Sequence, residues 1–466
     1  MLAESIRGAA ERFGDRPALI ADDGAVTTFA ELDDWSDRVA AWLVDEHGVG
    51  EGTVVGLVLP STPPYVAAYL ALAKLGAVTA GVNPRFAPAE KAAVLDRLGA
   101  DLVLDAIGGH GGPLLRRELQ SNDPDRPIAI VFTSGSTGVP KGAVFCERQL
   151  RAIVELDVGS LDTWGTGGRM LSSTQFPHVG FMTKLPWYLR LGCTLLLQDR
   201  WQAHRTLELM AEHRVSSLGG VAAQIGLLLR VPDFDALDVS CVESIVVGAG
   251  PSPAPLVREA RRRFGAGYSI RYSSTESGGV GTATSFDPDE DEIHTVGRPR
   301  PGVEVRIDPE RGEVLLRSPA VMSGYWRDAQ LTARVLDDEG WLRTGDLGAI
   351  DDDGRLRLVG RTTDMYIRGG YNVHPQEVEA VLLEHPSVAD VAVAARADDV
   401  MGEVGVAFVV VAPDAAAPTA AELRTFAGER LASYKLPEAV VVVDALPLTS
   451  MDKLDRRQLS VLAGGR

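Results

Sequence analysis

Along the first hundred residues, short runs of apolar residues alternate with longer stretches in which apolar and polar residues follow the period of a helix. Short apolar runs, such as TVVGLVL at 53–59 and ADLVL at 100–104, stand between stretches whose apolar residues recur every three or four positions. Strands that alternate with helical patterns are typical of βαβ units, so the pattern predicts an α/β fold with a largely parallel sheet. Later runs predict further strands: PIAIVFT, RMLSSTQF, CTLLLQ, VESIVVGAG and GEVLLRS.

The longest apolar stretch, YVAAYLALAKLGAVTAGV at 65–82, is interrupted by Lys74. Its Ala/Leu periodicity favours a buried helix over a membrane span. The first 20 residues lack the continuous apolar core of a signal peptide. Three widely separated cysteines, Cys146, Cys193 and Cys241, suit neither a disulfide framework nor a structural zinc site. These features predict a cytoplasmic protein.

The pattern changes near residue 360. GDLGAIDDDGRLRLVGR at 345–361 predicts a two-stranded ribbon closed by a turn at Asp353 and Gly354. A helix near Pro375, two Val-rich strands, a helix with the capping box Thr419-x-x-Glu422 and a final strand AVVVVDAL follow. We therefore expect a small α/β domain at 362–466 after a large domain at 1–361.

Charge narrows the function classes. The 466 residues carry a formal net charge of −18 and a pI near 4.9, which argues against non-specific binding to nucleic acid or to an anionic membrane. Only 6 of the 46 basic residues are lysine, so each lysine attracts attention. One of them, Lys453, stands between two aspartates in TSMDKLDRR near the end of the chain.

The strongest chemical signal is TSGSTGVPKG at 133–142, which follows an apolar strand. Hydroxyl donors and exposed backbone N–H groups in a glycine-rich loop can cradle phosphates, and Lys141 adds a positive charge. The spacing of a Walker P-loop does not occur here.

That segment resembles the phosphate-binding loop of the acyl-adenylate-forming (ANL) superfamily, which includes acyl-CoA synthetases. The resemblance extends over nearly the whole chain in the family's motif order: TFAELDDWSDRVAAWL, AVTAGVNPRFAP, FPHVGF, VVGAGPSPAPLV, RYSSTESG, RTGDLG, GRTTDMYIRGGYNVHPQEVE and LPLTSMDKLDRR. It implies a large multi-subdomain N-terminal adenylating domain and a small mobile C-terminal domain.

The resemblance also implies roles for individual residues. The catalytic residues would be Lys453, Glu276 and Thr275. Glu276 would hold Mg²⁺, since a cation that bridges phosphates often needs a single protein carboxylate. ATP and AMP would contact Thr133, Ser134, Gly135, Ser136, Thr137, Gly138, Lys141, Gly248, Ala249, Gly250, Tyr272, Ser273, Ser274, Asp346 and Arg361. The acyl pocket would include His178, Val179 and Phe181. The coenzyme A tunnel would include Arg368, Gly369, Gly370 and Tyr371, and Thr363 would be the hinge.

The implied reaction has two steps: a carboxylic acid and ATP form acyl-AMP and pyrophosphate, and the acyl group then passes to the thiol of coenzyme A. A carrier-protein thiol or an amine is an alternative acceptor, and a non-catalytic nucleotide-binding protein is a further alternative. The oligomeric state, monomer or homodimer, stays open.

Two positions depart from the family's pattern. Asp452 stands where glycine usually precedes the lysine, and aspartate is among the few residues that tolerate positive φ. Thr363 stands where relatives carry Asp or Lys, and a β-branched residue is stiffer.

The segments expected to line the acyl pocket are apolar or small: FPHVGFMTKLP, GGVAAQIG and SGGVGTATS. None offers an acidic residue for an α-amino group, so we expect an uncharged acyl or aryl carboxylate as the acid. Lys184 is interpreted as a helix-surface charge, with a contact to a second carboxylate or a ring substituent as the alternative.

Overall fold

A computed structural model describes residues 1–109, 123–133, 141–172, 174–362, 364–413, 415–449 and 454–464. The strands are β1 (Pro17–Ile20), β2 (Val26–Thr28), β3 (Val54–Leu57), β4 (Val78–Gly81), β5 (Leu102–Leu104), β6 (Pro127–Thr133), β7 (Lys141–Cys146), β8 (Arg169–Ser172), β9 (Thr194–Leu197), β10 (Ser217–Gly220), β11 (Ser244–Val247), β12 (Gly267–Tyr272), β13 (Thr282–Ala283), β14 (Arg298–Pro299), β15 (Glu304–Ile307), β16 (Glu313–Arg317), β17 (Gly324–Tyr325), β18 (Leu342–Ile350), β19 (Leu356–Arg361), β20 (Tyr366–Arg368), β21 (Tyr371–Val373), β22 (Val388–Asp398), β23 (Gly402–Val411) and β24 (Ala439–Val442). The helices are α1 (Leu2–Phe13), α2 (Phe29–His47), α3 (Pro63–Lys74), α4 (Pro88–Leu98), α5 (Glu147–Val158), α6 (Val179–Met182), α7 (Leu185–Leu191), α8 (Ala203–Glu212), α9 (Ala222–Leu229), α10 (Ala254–Phe264), α11 (Ala329–Val335), α12 (Pro375–Leu382), α13 (Ala420–Gly428) and α14 (Arg456–Leu462).

Two sheets with parallel centres form most of the large N-terminal part. In the described residues one has the order β17-β7-β6-β4-β3-β5, and the run from β6 to β5 is parallel. The other has the order β14-β13-β12-β11-β10-β8-β9-β1-β2, and the run from β12 to β1 is parallel. The predicted α/β class with largely parallel sheets is confirmed.

The buried helix predicted at 65–82 is confirmed only in its first part. Residues 65–74 of α3 are buried all round, but the chain turns at Gly76, which has φ +72°, and continues as the buried strand β4. The boundary between α3 and β4 is not visible in the sequence, because a fully buried helix and a fully buried parallel strand both give a continuous apolar run. In the described part of the chain no helix is long and apolar enough to cross a membrane.

The antiparallel ribbon predicted at 345–361 is confirmed. Strands β18 and β19 pair with Asp346 opposite Arg361, and the turn contains Gly354 at φ +76°. They belong to an antiparallel sheet with the order β15-β16-β18-β19. The ribbon thus places two polar residues that were predicted to contact the nucleotide directly across from each other.

The elements predicted after residue 362 also form. The sheet has the order β21-β20-β23-β22, and β24 lies parallel to β23. The Thr419 capping box begins α13. Two clusters of buried apolar residues lie entirely within residues 366–463, and the other clusters lie within residues 1–358.

Candidate active site

The candidate site lies where the parallel strands β11 and β12 end. Gly248, Ala249 and Gly250 follow β11, and the loop from Ser273 onward follows β12, which is its neighbour in the sheet. Ligands of open α/β sheets bind outside the carboxyl ends of the strands, so this is the expected place for a crevice. A Cβ at Gly248 would lie only 3.2 Å from the Arg271 carbonyl oxygen, so a small residue keeps this approach open.

Asp346 accepts two side-chain hydrogen bonds beside the end of β12. Tyr272 donates its hydroxyl to Asp346 Oδ2 at 2.7 Å, and Arg361 donates from Nε to Oδ1 at 2.7 Å. Burial, reinforced by the Asp346 charge, raises the pKa of Tyr272 well above its usual range, so the phenol stays a donor. The structure therefore brings together three of the residues predicted to contact the nucleotide.

Glu276 lies in the loop that follows β12. Tyr325, on β17, donates its hydroxyl to Glu276 Oε1 at 2.7 Å. Strand β17 pairs with β7, and Lys141 Nζ lies 5.9 Å from the centroid of the Tyr325 ring. Because Lys141 and Thr133 face each other across the ends of β6 and β7, the flanks of the predicted phosphate loop lie close to Glu276.

Tyr325 was not recognised from the sequence. It stands 49 residues after Glu276 in an ordinary SGYW segment, and no spacing rule links the two positions. Burial raises the pKa of Tyr325 above its ordinary value, and the Glu276 carboxylate adds to the effect.

The loop after β12 is held by its own serines. Ser274 N donates to Ser277 Oγ at 3.0 Å, and Ser277 N donates to Ser274 Oγ at 3.1 Å. Thr275 and Ser273 are half-buried in the same loop. The reciprocal pair fixes the backbone immediately around Glu276.

Several predicted residues fall outside the described part of the chain. They are Ser134, Gly135, Ser136, Thr137, Gly138, Thr363, Asp452 and Lys453. Near Lys453, Leu448 pairs with Leu454 in an isolated antiparallel bridge. Leu448 also lines a cleft of about 260 Å³ with Gln224 of the GGVAAQIG segment.

The residues predicted for the acyl pocket differ in exposure. His178 precedes α6, is half-buried, and accepts a hydrogen bond from Gly180 N at its Nδ1. Val179 and Phe181 are buried. Phe181 stacks on Phe176 with 3.7 Å between ring centroids, so its ring packs within an aromatic cluster.

The interpretation of Lys184 as a helix-surface charge is wrong. Its side chain is 14% exposed, and Nζ donates to Asp157 Oδ2 at 2.7 Å. Arg300 donates to the other oxygen of Asp157, also at 2.7 Å. Neither Asp157 nor Arg300 was recognised from the sequence, because they lie 27 and 116 residues from Lys184.

The predicted tunnel residues form a tight hairpin. Gly369 and Gly370 have φ +56° and +87° between β20 and β21, as a two-residue turn with two left-handed positions requires. Tyr371 is 58% exposed and stacks on Tyr434. Arg368 is buried and bonds to Glu438 and to the carbonyl oxygens of Ser433 and Tyr434, so its side chain is directed into the C-terminal part.

Family comparisons agree with this geometry over nearly the full length. The model of the AMP-binding enzyme family matches residues 6–326, and that of the AMP-binding enzyme C-terminal domain matches residues 377–453.

Relatives and solved structures are similar over nearly their whole lengths. A CoA ligase of Mycobacterium tuberculosis, named for a methyl-dioxo-octahydroindenyl propanoyl group, is 33% identical over 96% of this chain and 96% of its own. The o-succinylbenzoate CoA synthetase of Bacillus subtilis, solved with its acyl-adenylate intermediate, has a TM-score of 0.82 at 28% identity and covers 98% of this chain and 97% of its own. An amide bond synthetase of Marinactinospora thermotolerans has a TM-score of 0.86 at 28% identity and covers 99% of this chain and 100% of its own. Motifs and fold thus agree with the match to the family model, and the chain belongs to the AMP-binding enzyme family.

Proposed function

We propose that this chain is an AMP-forming acid–thiol ligase that activates a carboxylic acid with ATP and transfers the acyl group to coenzyme A. The observation that carries the proposal is the pair of carboxylates at the end of β12: Asp346, bonded to Tyr272, and Glu276, bonded to Tyr325. The relatives add support, since one is a CoA ligase and another was solved with an acyl-adenylate.

Asp346 is proposed to bind the ribose hydroxyls. Its two oxygens already accept from Tyr272 and Arg361, but a carboxylate offers about four lone-pair sites. Two donors from a ribose diol can therefore join the bonds already present. Gly248, Ala249 and Gly250 are proposed to lie beside the adenine, where small residues permit close approach to the backbone.

Glu276 is proposed to hold Mg²⁺ against the phosphates. A hard cation that bridges phosphates takes one or two protein carboxylates and completes its coordination with phosphate oxygens and water. Glu276 fits, because it is a single carboxylate oriented by the Tyr325 hydroxyl, and Lys141 of the predicted phosphate loop lies beside the same tyrosine. When bound, the ion would neutralise phosphate charge. Thr275 and the hydroxyl-rich loop from Thr133 to Gly138 are proposed as further donors to the phosphates.

Lys453 is proposed as the cation of the adenylation step. A carboxylate oxygen attacks the α-phosphorus, the bond to the pyrophosphate oxygen breaks, and pyrophosphate leaves. Both reactants are anionic, so the step depends on charge neutralisation and in-line positioning. The Leu448–Leu454 bridge supports the proposal, since Leu454 directly follows Lys453 in the chain and Leu448 borders a cleft with Gln224 of a pocket segment.

The chain is proposed to divide into domains at 1–361 and 362–466, with Thr363 as the hinge. The separate apolar clusters on the two sides of this position support the division. Rotation about a few backbone dihedrals would exchange Lys453 for the hairpin of Gly369, Gly370 and Tyr371 at the acyl-adenylate. Exposed Tyr371 is the side chain offered to the pantetheine arm, whereas Arg368 supports the hairpin from within.

The test is pyrophosphate exchange and product analysis with the purified chain. A panel of carboxylic acids, ATP and Mg²⁺ should give acid-dependent exchange of labelled pyrophosphate into ATP. Addition of coenzyme A should then give an acyl thioester and AMP, whereas a carrier protein or an amine in its place should give little product. Absence of exchange with every acid contradicts the proposal. Exchange followed by amide formation alone would show that the acyl acceptor is an amine and not the thiol of coenzyme A.

A further inference from the structure

Lys184, Asp157 and Arg300 form a cluster of charged side chains that is separate from the residues proposed for adenylation. Asp157, near the end of α5, is 12% exposed and receives Lys184 on one oxygen and Arg300 on the other. Lys184 is 14% exposed and Arg300 is 20% exposed, so all three charges are largely removed from water. Although burial opposes it, the charges of Lys184 and Arg300 hold the pKa of Asp157 below its usual value.

The cluster is not balanced in charge. One carboxylate faces two cations, and Arg271 on β12 lies within electrostatic reach of Asp157 and Arg300. Burial, followed by the repulsion from Arg300, lowers the pKa of Arg271 to about 10. Burial also lowers the pKa of Lys184, and Asp157 offsets that effect only in part. A buried excess of positive charge is costly unless oxygen acceptors approach it. Arg300 already donates to the Leu156 carbonyl oxygen at 3.0 Å. The Lys184 ammonium has three N–H donors, and among the described residues it makes one hydrogen bond, to Asp157.

The position of the cluster identifies where such an acceptor would come from. A Cβ on Gly279 would lie 3.4 Å from Lys184 Cε and 3.6 Å from Val179 Cγ2, so the lysine stem packs under the loop that carries Glu276. Arg300 N donates to the Gly281 carbonyl oxygen at 3.1 Å in the same loop. The cations thus adjoin two segments proposed to line the acyl pocket, FPHVGFMTKLP and SGGVGTATS.

We propose that Lys184, held by Asp157 and assisted by Arg300, selects acids that carry an oxygen acceptor remote from the reacting carboxylate. The acceptor is a ring carbonyl or a second carboxylate. The ammonium donates to it, so such an acid binds better than an apolar acid of equal size. This inference rests on the proposed function and deepens it by naming the class of acid. The Mycobacterium tuberculosis relative, whose acyl group is named as a dioxo compound, agrees with the ring-carbonyl form.

The test compares three matched acids: an apolar ring acid, the same acid with a ring carbonyl, and the same acid with a second carboxylate. Wild-type protein, Lys184→Met and Lys184→Arg are assayed for pyrophosphate release, and acid binding is measured in parallel by calorimetry. Lys91→Met, on α4, is the control for loss of a lysine elsewhere. A hydrogen bond to a charged donor is worth about 10- to 100-fold in affinity, so Lys184→Met should lower the preference for the better acceptor acid by that factor.

Failure of the inference and failure of the proposed function give different results in this experiment. Wild-type preference for an acceptor acid that falls in Lys184→Met, mainly through KM, and persists in Lys184→Arg supports the inference. Equal use of the three acids, or an equal change for all three in Lys184→Met, overturns it and leaves acid activation intact. Failure of every acid in the pyrophosphate assay counts against the proposed function, and the binding preference then decides the inference on its own.

A second variant, Asp157→Asn, should change the acid preference in the opposite direction. Asp157→Asn keeps the shape of the side chain but removes the one negative charge of the cluster. Its preference for the dicarboxylic acid over the apolar acid should rise above that of the wild type. A fall or no change would contradict the electrostatic account even if Lys184→Met were too unstable to assay.

Discussion

At the residue scale, the Asp346 and Glu276 carboxylates are each oriented by a hydrogen bond from a buried tyrosine. Each is bonded by a tyrosine hydroxyl from another strand, Tyr272 in one case and Tyr325 in the other. Both tyrosines are buried, and burial keeps their hydroxyls protonated. A neutral donor orients a carboxylate without cancelling its charge, so Glu276 keeps its charge for the proposed cation. Asp346 is also paired with Arg361, which suits its proposed role as an acceptor of ribose hydroxyls.

Tyr325→Phe tests this account for Glu276. Loss of the hydroxyl frees the carboxylate to rotate, and loss of such an outer partner typically weakens a metal site about 10- to 100-fold. We therefore expect the Mg²⁺ concentration for half-maximal pyrophosphate exchange to rise by about that factor. The measurement is a Mg²⁺ titration at saturating ATP and acid.

Tyr268→Phe is the matched control for the Tyr325 experiment. Tyr268 is also buried, but its hydroxyl lies 3.2 Å from Ser252 Oγ, so its loss should leave the Mg²⁺ dependence unchanged. An unaltered Mg²⁺ titration in Tyr325→Phe would show that the hydroxyl does not orient Glu276.

Sequence reasoning succeeded where contacts are local in the chain. Asp346 and Arg361 lie 15 residues apart across a predicted ribbon, and the structure pairs them. It failed for Tyr325 and for Arg300, whose partners come from distant strands and loops. Such pairs depend on sheet order, which no short motif encodes.

At the element scale, helix α3 carries a buried lysine, Lys74, that is paired with two aspartates of the neighbouring helix. Lys74 ends α3 and is 4% exposed. Its Nζ donates to Asp33 Oδ1 at 2.6 Å and to Asp37 Oδ1 at 2.7 Å, both on α2. These bonds join two helices that pack against each other, so the lysine that interrupts the apolar stretch belongs to the core.

Lys74→Met should destabilise the large part of the chain by about 3–5 kcal/mol, because the buried Asp33 carboxylate loses its partner and Asp37 is left with Arg7 at 3.5 Å. Urea denaturation followed by tryptophan fluorescence measures the loss. Lys91 is half-buried and donates to the Pro84 carbonyl oxygen at 2.9 Å, so the control Lys91→Met should cost no more than about 1 kcal/mol. Equal stability of Lys74→Met and the wild type would contradict the account of the α2–α3 junction.

Capping and turn signals were the most reliable guides to single elements. The Thr419 capping box and the Asp353–Gly354 turn form as predicted, since each depends on a few adjacent residues. The α3–β4 boundary was missed although Gly76 marks it, because burial on all sides removes the periodicity that separates helix from strand.

The whole molecule joins a large part that carries Asp346 and Glu276 to a smaller part whose sequence includes Lys453. The α/β class and the order of elements were predictable from alternation of patterns and from the family's motifs. The packing of β17 beside β7, which brings Tyr325 to Glu276, was not, because it depends on the return of a distant strand to a sheet edge.

The central claim is that Lys453 serves adenylation and that a different face of the small domain serves thiol transfer. The most direct test is to measure both half-reactions in Lys453→Ala. Pyrophosphate exchange should fall by at least about 10²–10³, the usual cost of one lost transition-state contact. Thioester formation from supplied acyl-AMP and coenzyme A should stay near the wild-type rate. Near-normal exchange, or an equal loss of both half-reactions, would contradict the account.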